Sequence, residues 1–180
     1  ASLLDQRDRL VAQIAETMMQ PVMSLYRSYE RELANGVIER DDVVNLALDG
    51  VRRYVAEIPG DKMRKQDIKQ TRELTEYAIE IKAAGDIVVK VLIPLAREKS
   101  DKGIRFSDAG LQELVAMHER VLANMTLAFN VLISNDIESA RLLLEEKNDM
   151  TRMERASRKK HLKRLTEGAK ISWPTRREVV

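Results

Sequence analysis

The stretch from Thr71 to Leu95 reads TRELTEYAIEIKAAGDIVVKVLIPL and decides the fold class. Thr71, Leu74, Ala78, Ile81, Gly85, Val88, Leu92 and Leu95 recur at steps of three or four. That is the period of one helix face, and it excludes the strict alternation of a half-buried strand. The pattern predicts one long helix from about Asp61 to Asp67 through about Lys99. Upstream, Val44, Leu48, Val51, Val55 and Ile58 predict a second helix that starts near Glu39 or Asp41 and ends at Pro59-Gly60. A first helix, from about Leu4 to Leu33, carries Val11, Ile14, Met18, Val22, Leu25, Tyr29 and Leu33. Pro21 should kink it or restart it there, and Asn35-Gly36 supplies a left-handed stop.

Downstream, Ser100 to Arg105 reads as a polar loop containing Gly103, and Ser107 caps a fourth helix. That helix bears Leu111, Leu114, His118, Val121, Met125, Ala128 and Leu132. A turn at Ser134-Asn135-Asp136 leads to a fifth helix from Ile137 to about Glu167. Gly168 is its expected C-cap, and Ser172-Trp173-Pro174 begins a tail. The segments Leu33 to Glu39 and Ile133 to Glu138 resemble each other, which suggests an internal repeat. Three helices followed by two fit an all-α antiparallel bundle of two three-helix units with the sixth helix cut off. The expected halves are about 1–100 and 104–180 of a single domain, 1–180.

Composition agrees with helix. Aromatics make up 4% of 180 residues, and there are 7 Gly and 4 Pro, too few for a sheet protein. The absence of cysteine excludes disulfides, thiolate metal sites and thiol nucleophiles. The longest apolar run, Ile87 to Ala96, is broken by Lys90 and Pro94, so no helix crosses a bilayer. With no secretory leader either, the segment reads as cytoplasmic. The chain begins at Ala1 instead of Met, which suggests a piece of a longer polypeptide.

Catalytic patterns are missing. Neither His118 nor His161 is preceded by Glu at three residues, and there is no phosphate loop, serine elbow or zinc spacing. His118 reads as a packing residue and His161 as a surface one. Acidic pairs such as Glu76 with Glu80 and Glu145 with Asp149 are expected by chance in so acidic a chain. Asp86 stands out because it interrupts an apolar stretch, where a charge must be paired, hydrogen-bonded or on a metal. Lys82 and Lys90, one turn to either side, offer intrahelical ion pairs. Residues 138–180 carry a net charge of +5 against −3 for the rest. Arg152, Arg155, Arg158, Lys159, Lys160, Lys163 and Arg164 form a basic run with Glu154 as its one acid. This run suits an anion-facing patch or a solvated helix face, but without stacking aromatics it implies no specific nucleic acid.

The chain resembles a PhoU-like domain, in particular the cytoplasmic C-terminal domain of bacterial sodium-dependent phosphate cotransporters. The residues that carry the resemblance are Ile79 to Ile87, Arg105 to Leu111, Asn135 to Arg141 with Leu144 to Lys147, and His161 to Gly168. It implies a PhoU-like pair of three-helix units that regulates phosphate transport from the cytoplasmic face of the cell membrane. The transmembrane portion of the same polypeptide would be the partner. An unrelated helical adaptor is the alternative function, and no enzymatic activity is expected. The resemblance makes Asp86 a candidate metal ligand in a Glu/Asp-x-x-x-Asp motif. Here, however, Lys82 stands at the Glu position. Asn45 replaces a carboxylate in the second helix, whether the pair is Asp41 with Asn45 or Asn45 with Asp49. A cation beside Lys82 loses a ligand and meets like charge, so no metal or other cofactor is expected. An apolar groove of Val121, Met125, Leu132, Leu143 and Met150 points to a homodimer, and the basic run to contact with an anionic membrane surface.

Overall fold

The computed structural model describes residues 3–57, 65–134 and 136–171. Among the described residues there is no strand, and the chain is a helical bundle. The helices are α1 (Leu3–Met19), α2 (Val22–Arg27), α3 (Arg31–Glu57), α4 (Lys65–Ile87), α5 (Ile93–Asp101), α6 (Asp108–Ser134) and α7 (Ile137–Ile171). A π-helical turn, Val88–Leu92, joins α4 to α5. The helices fall into two compact units, Ala1–Lys102 with Leu132–Ser134, and Gly103–Val131 with Asn135–Val180. The expected turn at Pro59-Gly60 and the tail from Ser172 lie outside the described residues.

The first unit is a three-rod bundle. Pro21 breaks the first rod into α1 and α2, as its missing N–H requires. α1 packs against α3 and α4, and α2 packs against α5. The first and third rods therefore run in the same direction, with α3 antiparallel to them. The core joins Val11, Met18, Val22 and Leu25 to Ala34, Val37 and Val44, and then to Val88, Ile93 and Ala96.

Two expectations are corrected here. The chain leaves the first rod at Ser28, whose backbone is extended, and α3 begins at Arg31. Asn35-Gly36 is inside α3 and stops nothing. Ala34, Val37, Asp41, Val44, Leu48 and Val51 are all buried at steps of three and four. Burying that continuous face outweighs the roughly 0.5–1 kcal/mol that a helical glycine costs. Asp41 consequently sits in the third turn of α3, on its buried face, and not at a helix start.

The second correction follows from Pro94. A proline lacks the N–H that would reach the carbonyl of Lys90, and its ring crowds that carbonyl. The helix widens just before it, and the Ile93 N–H donates to the Val88 carbonyl, five residues back. This inserted residue shifts the buried face by one position. Val88 is followed inward by Ile93 and Ala96, while Leu95 is 47% exposed. The expected stripe through Leu92 and Leu95 is displaced accordingly.

The second unit is an antiparallel hairpin of α6 and α7. Gly103, at φ 63°, turns the chain toward it. The Ser107 hydroxyl accepts the Gly110 N–H at 3.2 Å and caps α6. Asp136 caps α7 by accepting the N–H groups of Glu138 (3.2 Å) and Ser139 (3.1 Å), and the Ser139 hydroxyl, donating at 2.7 Å, leads these bonds in holding its carboxyl below the ordinary value. α7 continues through Gly168 to Ile171, so that glycine is not a C-cap. Among the described residues none of the hairpin is fully buried. Val121, Met125, Leu143 and Met150 are half-buried, while Leu132 groups with the first unit. An apolar groove runs between the helices along Ala116, Met117, Met153 and Ala156.

Candidate functional site

The facing surfaces of α3 and α4 meet at a polar cluster. Among the described residues of the first unit, Asp41 is the buried charged one, 7% exposed. It packs close to α4 at Gly85, where a Cβ would stand in ordinary contact, 3.4 Å from Asp41 Oδ1 and 3.5 Å from Met18 Cε. A buried carboxylate must be paired. Asp41 Oδ1 accepts from Lys82 Nζ at 3.4 Å, and Asp41 Oδ2 accepts from Asn45 Nδ2 at 3.2 Å. The same ammonium, on a side chain only 14% exposed, donates to Asp86 Oδ1 one turn along α4. Asp86 also pairs with Lys90 at 2.7 Å. Hydrogen bonds from Lys82 and then Lys90 hold the Asp86 carboxyl below its ordinary range, and Asp86 raises Lys90 in turn.

Lys82 Nζ therefore bridges carboxylates from two helices. That is where a divalent ion would have to sit to use both Asp41 and Asp86, so the donor set does not fit a metal while Lys82 is present. Among the described residues, no three His, Asp or Glu side chains are placed to hold one. Beside the cluster is an open groove of about 450 Å³, edged by Asn45, Asp49, Arg52, Ile79, Lys82 and Asp86. Its charges are of both signs, and Arg52 already faces Asp49 at 3.6 Å.

A second cluster ties the hairpin together. Arg164 donates two bonds of 2.9 Å to Glu113, and the Ser157 hydroxyl donates a third at 3.0 Å. Arg164 dominates in holding the Glu113 carboxyl down to about 2. Toward the turn, Arg120 grips Glu146 at 2.5 and 2.7 Å.

The basic run is largely engaged. Arg152 contacts Asp149, Arg158 contacts Glu154, Lys163 lies 3.7 Å from Glu167, and Lys160 lies 4.0 Å from Glu113. Arg155 and Lys159 are exposed, and among the described residues neither makes an ion pair. His118 is half-buried and His161 exposed. Of the chance acidic pairs, Glu76 faces Arg72 at 3.9 Å and Asp149 faces Arg120 at 3.4 Å. Sequence reasoning found the helical neighbours of Asp86 but missed Asp41 as their cross-helix partner. The available signal was the position of Asp41 on the register of Ala34, Val37, Val44 and Leu48.

Comparison with known proteins places these clusters in context. Residues 9–92, within the first unit, match the family model of the PhoU domain. Over 150 residues the chain is 28% identical to "Putative inorganic phosphate export protein YjbB" of Salmonella typhimurium (strain LT2), covering 83% of this chain and 27% of that protein. Proteins of the same name from Escherichia coli O157:H7 and strain K12 are each 29% identical over 124 residues, covering 69% of this chain and 23% of theirs. The chain thus spans about a quarter of the length of these curated relatives. Their name speaks of phosphate export and not of a sodium-dependent cotransporter. No solved structure matches the chain at a significant level. Among the described residues, no helix is long and apolar enough to cross a membrane.

Proposed function

We propose, with the PhoU match of the first unit as premise, that the chain is a regulatory and interaction domain of a phosphate-transport protein. The observation that carries this reading is its similarity, over most of its length, to proteins named for inorganic phosphate export. Because the chain spans about a quarter of those relatives, the proposal makes it one domain of a longer polypeptide. The remainder would handle phosphate in the membrane, in the manner of a sodium-dependent cotransporter, and this domain would sit at the cytoplasmic face. The site chemistry supports action by contact and not by catalysis. Asp41 and Asp86 are neutralised by Lys82 and Lys90, and the exposed Asp49 of the neighbouring groove faces Arg52, so its carboxylates are engaged with cations.

The test is phosphate flux in cells carrying the parent protein with and without residues 1–180. The domain reading expects flux to persist while its response to external phosphate changes. Unchanged flux with an unchanged response would overturn it, as would a reading frame upstream of Ala1 that encodes no membrane helices.

A further inference from the structure

The half of α7 turned away from α6 is chemically one-sided between Arg152 and Thr166. Ser157 and Arg164 reach Glu113 on α6, and Met153 and Lys160 line the groove between the helices. At 100° per residue, Arg155, Lys159 and Leu162 fall on the opposite side, flanked by Arg152, Arg158, Lys163 and Leu165. No acid lies within that arc. Glu154 and Glu167 stand outside it and reach only its flanking cations, Arg158 and Lys163. Arg155 and Lys159 at its centre are exposed. Beside them, Leu162 is 55% exposed and Leu165 50% exposed. The arc runs about 22 Å along the helix.

Cations alone would suit any phosphate. The leucines narrow the choice, because a bilayer surface offers phosphates to the cations and, a few ångströms deeper, apolar chains to the leucines. A single-stranded nucleic acid would call for aromatic side chains on which bases stack, and this arc has none. We propose that this face of α7 docks on an anionic lipid surface, with Arg155 and Lys159 on headgroup phosphates and Leu162 and Leu165 in the acyl boundary. The proposal stands on the residues of α7 and not on the phosphate-transport reading.

Sedimentation of the 180-residue chain with vesicles tests it, using phosphatidylcholine alone and phosphatidylcholine mixed with phosphatidylglycerol. Binding is expected only to the mixed vesicles and should weaken as salt rises. Arg155→Gln with Lys159→Gln should lower the partition coefficient about 25-fold, from about 1 kcal/mol per cation near an anionic surface. Leu162→Ser with Leu165→Ser should also lower it. All four side chains are exposed, so the helical circular dichroism of both variants should match the wild type. Equal binding to the two vesicle types, or variants that bind like the wild type, would overturn the proposal. So would release by inorganic phosphate at matched ionic strength, or binding to a single-stranded RNA with no binding to vesicles.

Discussion

Replacing Lys82 by Met should destabilise the first unit by about 2 to 3 kcal/mol. Removing one partner of a buried ion pair typically costs about 3–5 kcal/mol, because the remaining charge is left without compensation. Asp41 meets that condition. Its side chain is 10% exposed, and among the described residues its partner apart from Lys82 is the Asn45 amide, which carries no charge. Asp86 does not meet it, since its side chain is 30% exposed and retains Lys90, so the figure is discounted. Lys90, 68% exposed, is the control, and Lys90→Met should be close to neutral. Adding Asp41→Leu to Lys82→Met should recover most of the loss, since it removes the stranded charge. Urea unfolding followed by circular dichroism reads all of these as shifts in midpoint at constant slope. The pH dependence has a definite sign. The folded carboxyl of Asp86 lies below its ordinary 3.8, so its contribution is complete above about pH 5 and is lost as pH falls through the folded value. Lys82→Met should flatten that acid limb. If Lys82→Met costs no more than Lys90→Met, the ammonium does not join the two helices and the reasoning fails.

Gly36→Ala should stabilise the chain by about 0.5–1 kcal/mol, because Gly36 is helical and a Cβ there meets nothing within 4 Å. A loss of stability in thermal unfolding would mean that Asn35-Gly36 is a left-handed stop after all. Gly103→Ala should go the other way by about 1 kcal/mol, since φ 63° is strained for alanine. The Glu113 carboxyl is held to about 2 from an ordinary 4.5, so its tie to Arg164 contributes fully above about pH 5 and is lost between 4.5 and about 2. A circular dichroism pH titration should show a larger step in that window for the wild type than for Glu113→Gln, which retains the contributions of Asp86 and Asp136. A step of equal size in both would show that another group titrates there.

Much of the fold is legible in sequence because apolar spacing and caps are local. Pro21, Ser107 and Asp136 mark helix ends in ways that need no knowledge of what packs nearby. The misread features depend on tertiary balance. Asn35-Gly36 carries a genuine stop signal, and it yields only because Ala34, Val37, Val44 and Leu48 are buried together. The π turn before Pro94 moves the core from Leu95 to Ile93 and Ala96, a one-residue change that a fixed 3.6-residue period cannot express. The polar cluster was half legible for the same reason. Lys82, Asp86 and Lys90 share a helix at four-residue spacing, whereas Asp41 is 41 residues away and becomes their neighbour only through the antiparallel packing of α3 on α4. Likewise the basic run looks unopposed along α7 until Glu113 is brought beside it by α6.

In the first unit an internal ammonium, Lys82, lies between Asp41 and Asp86, in the position that a cation shared by both carboxylates would take. Elemental analysis of the purified chain, after incubation with iron, manganese and zinc and removal of free metal, tests it most directly. The wild type should retain no stoichiometric metal, while Lys82→Glu, which turns the bridging cation into a third carboxylate, should gain affinity for one. A wild-type chain that holds one equivalent of metal, and loses it on Asp86→Asn, would contradict the account.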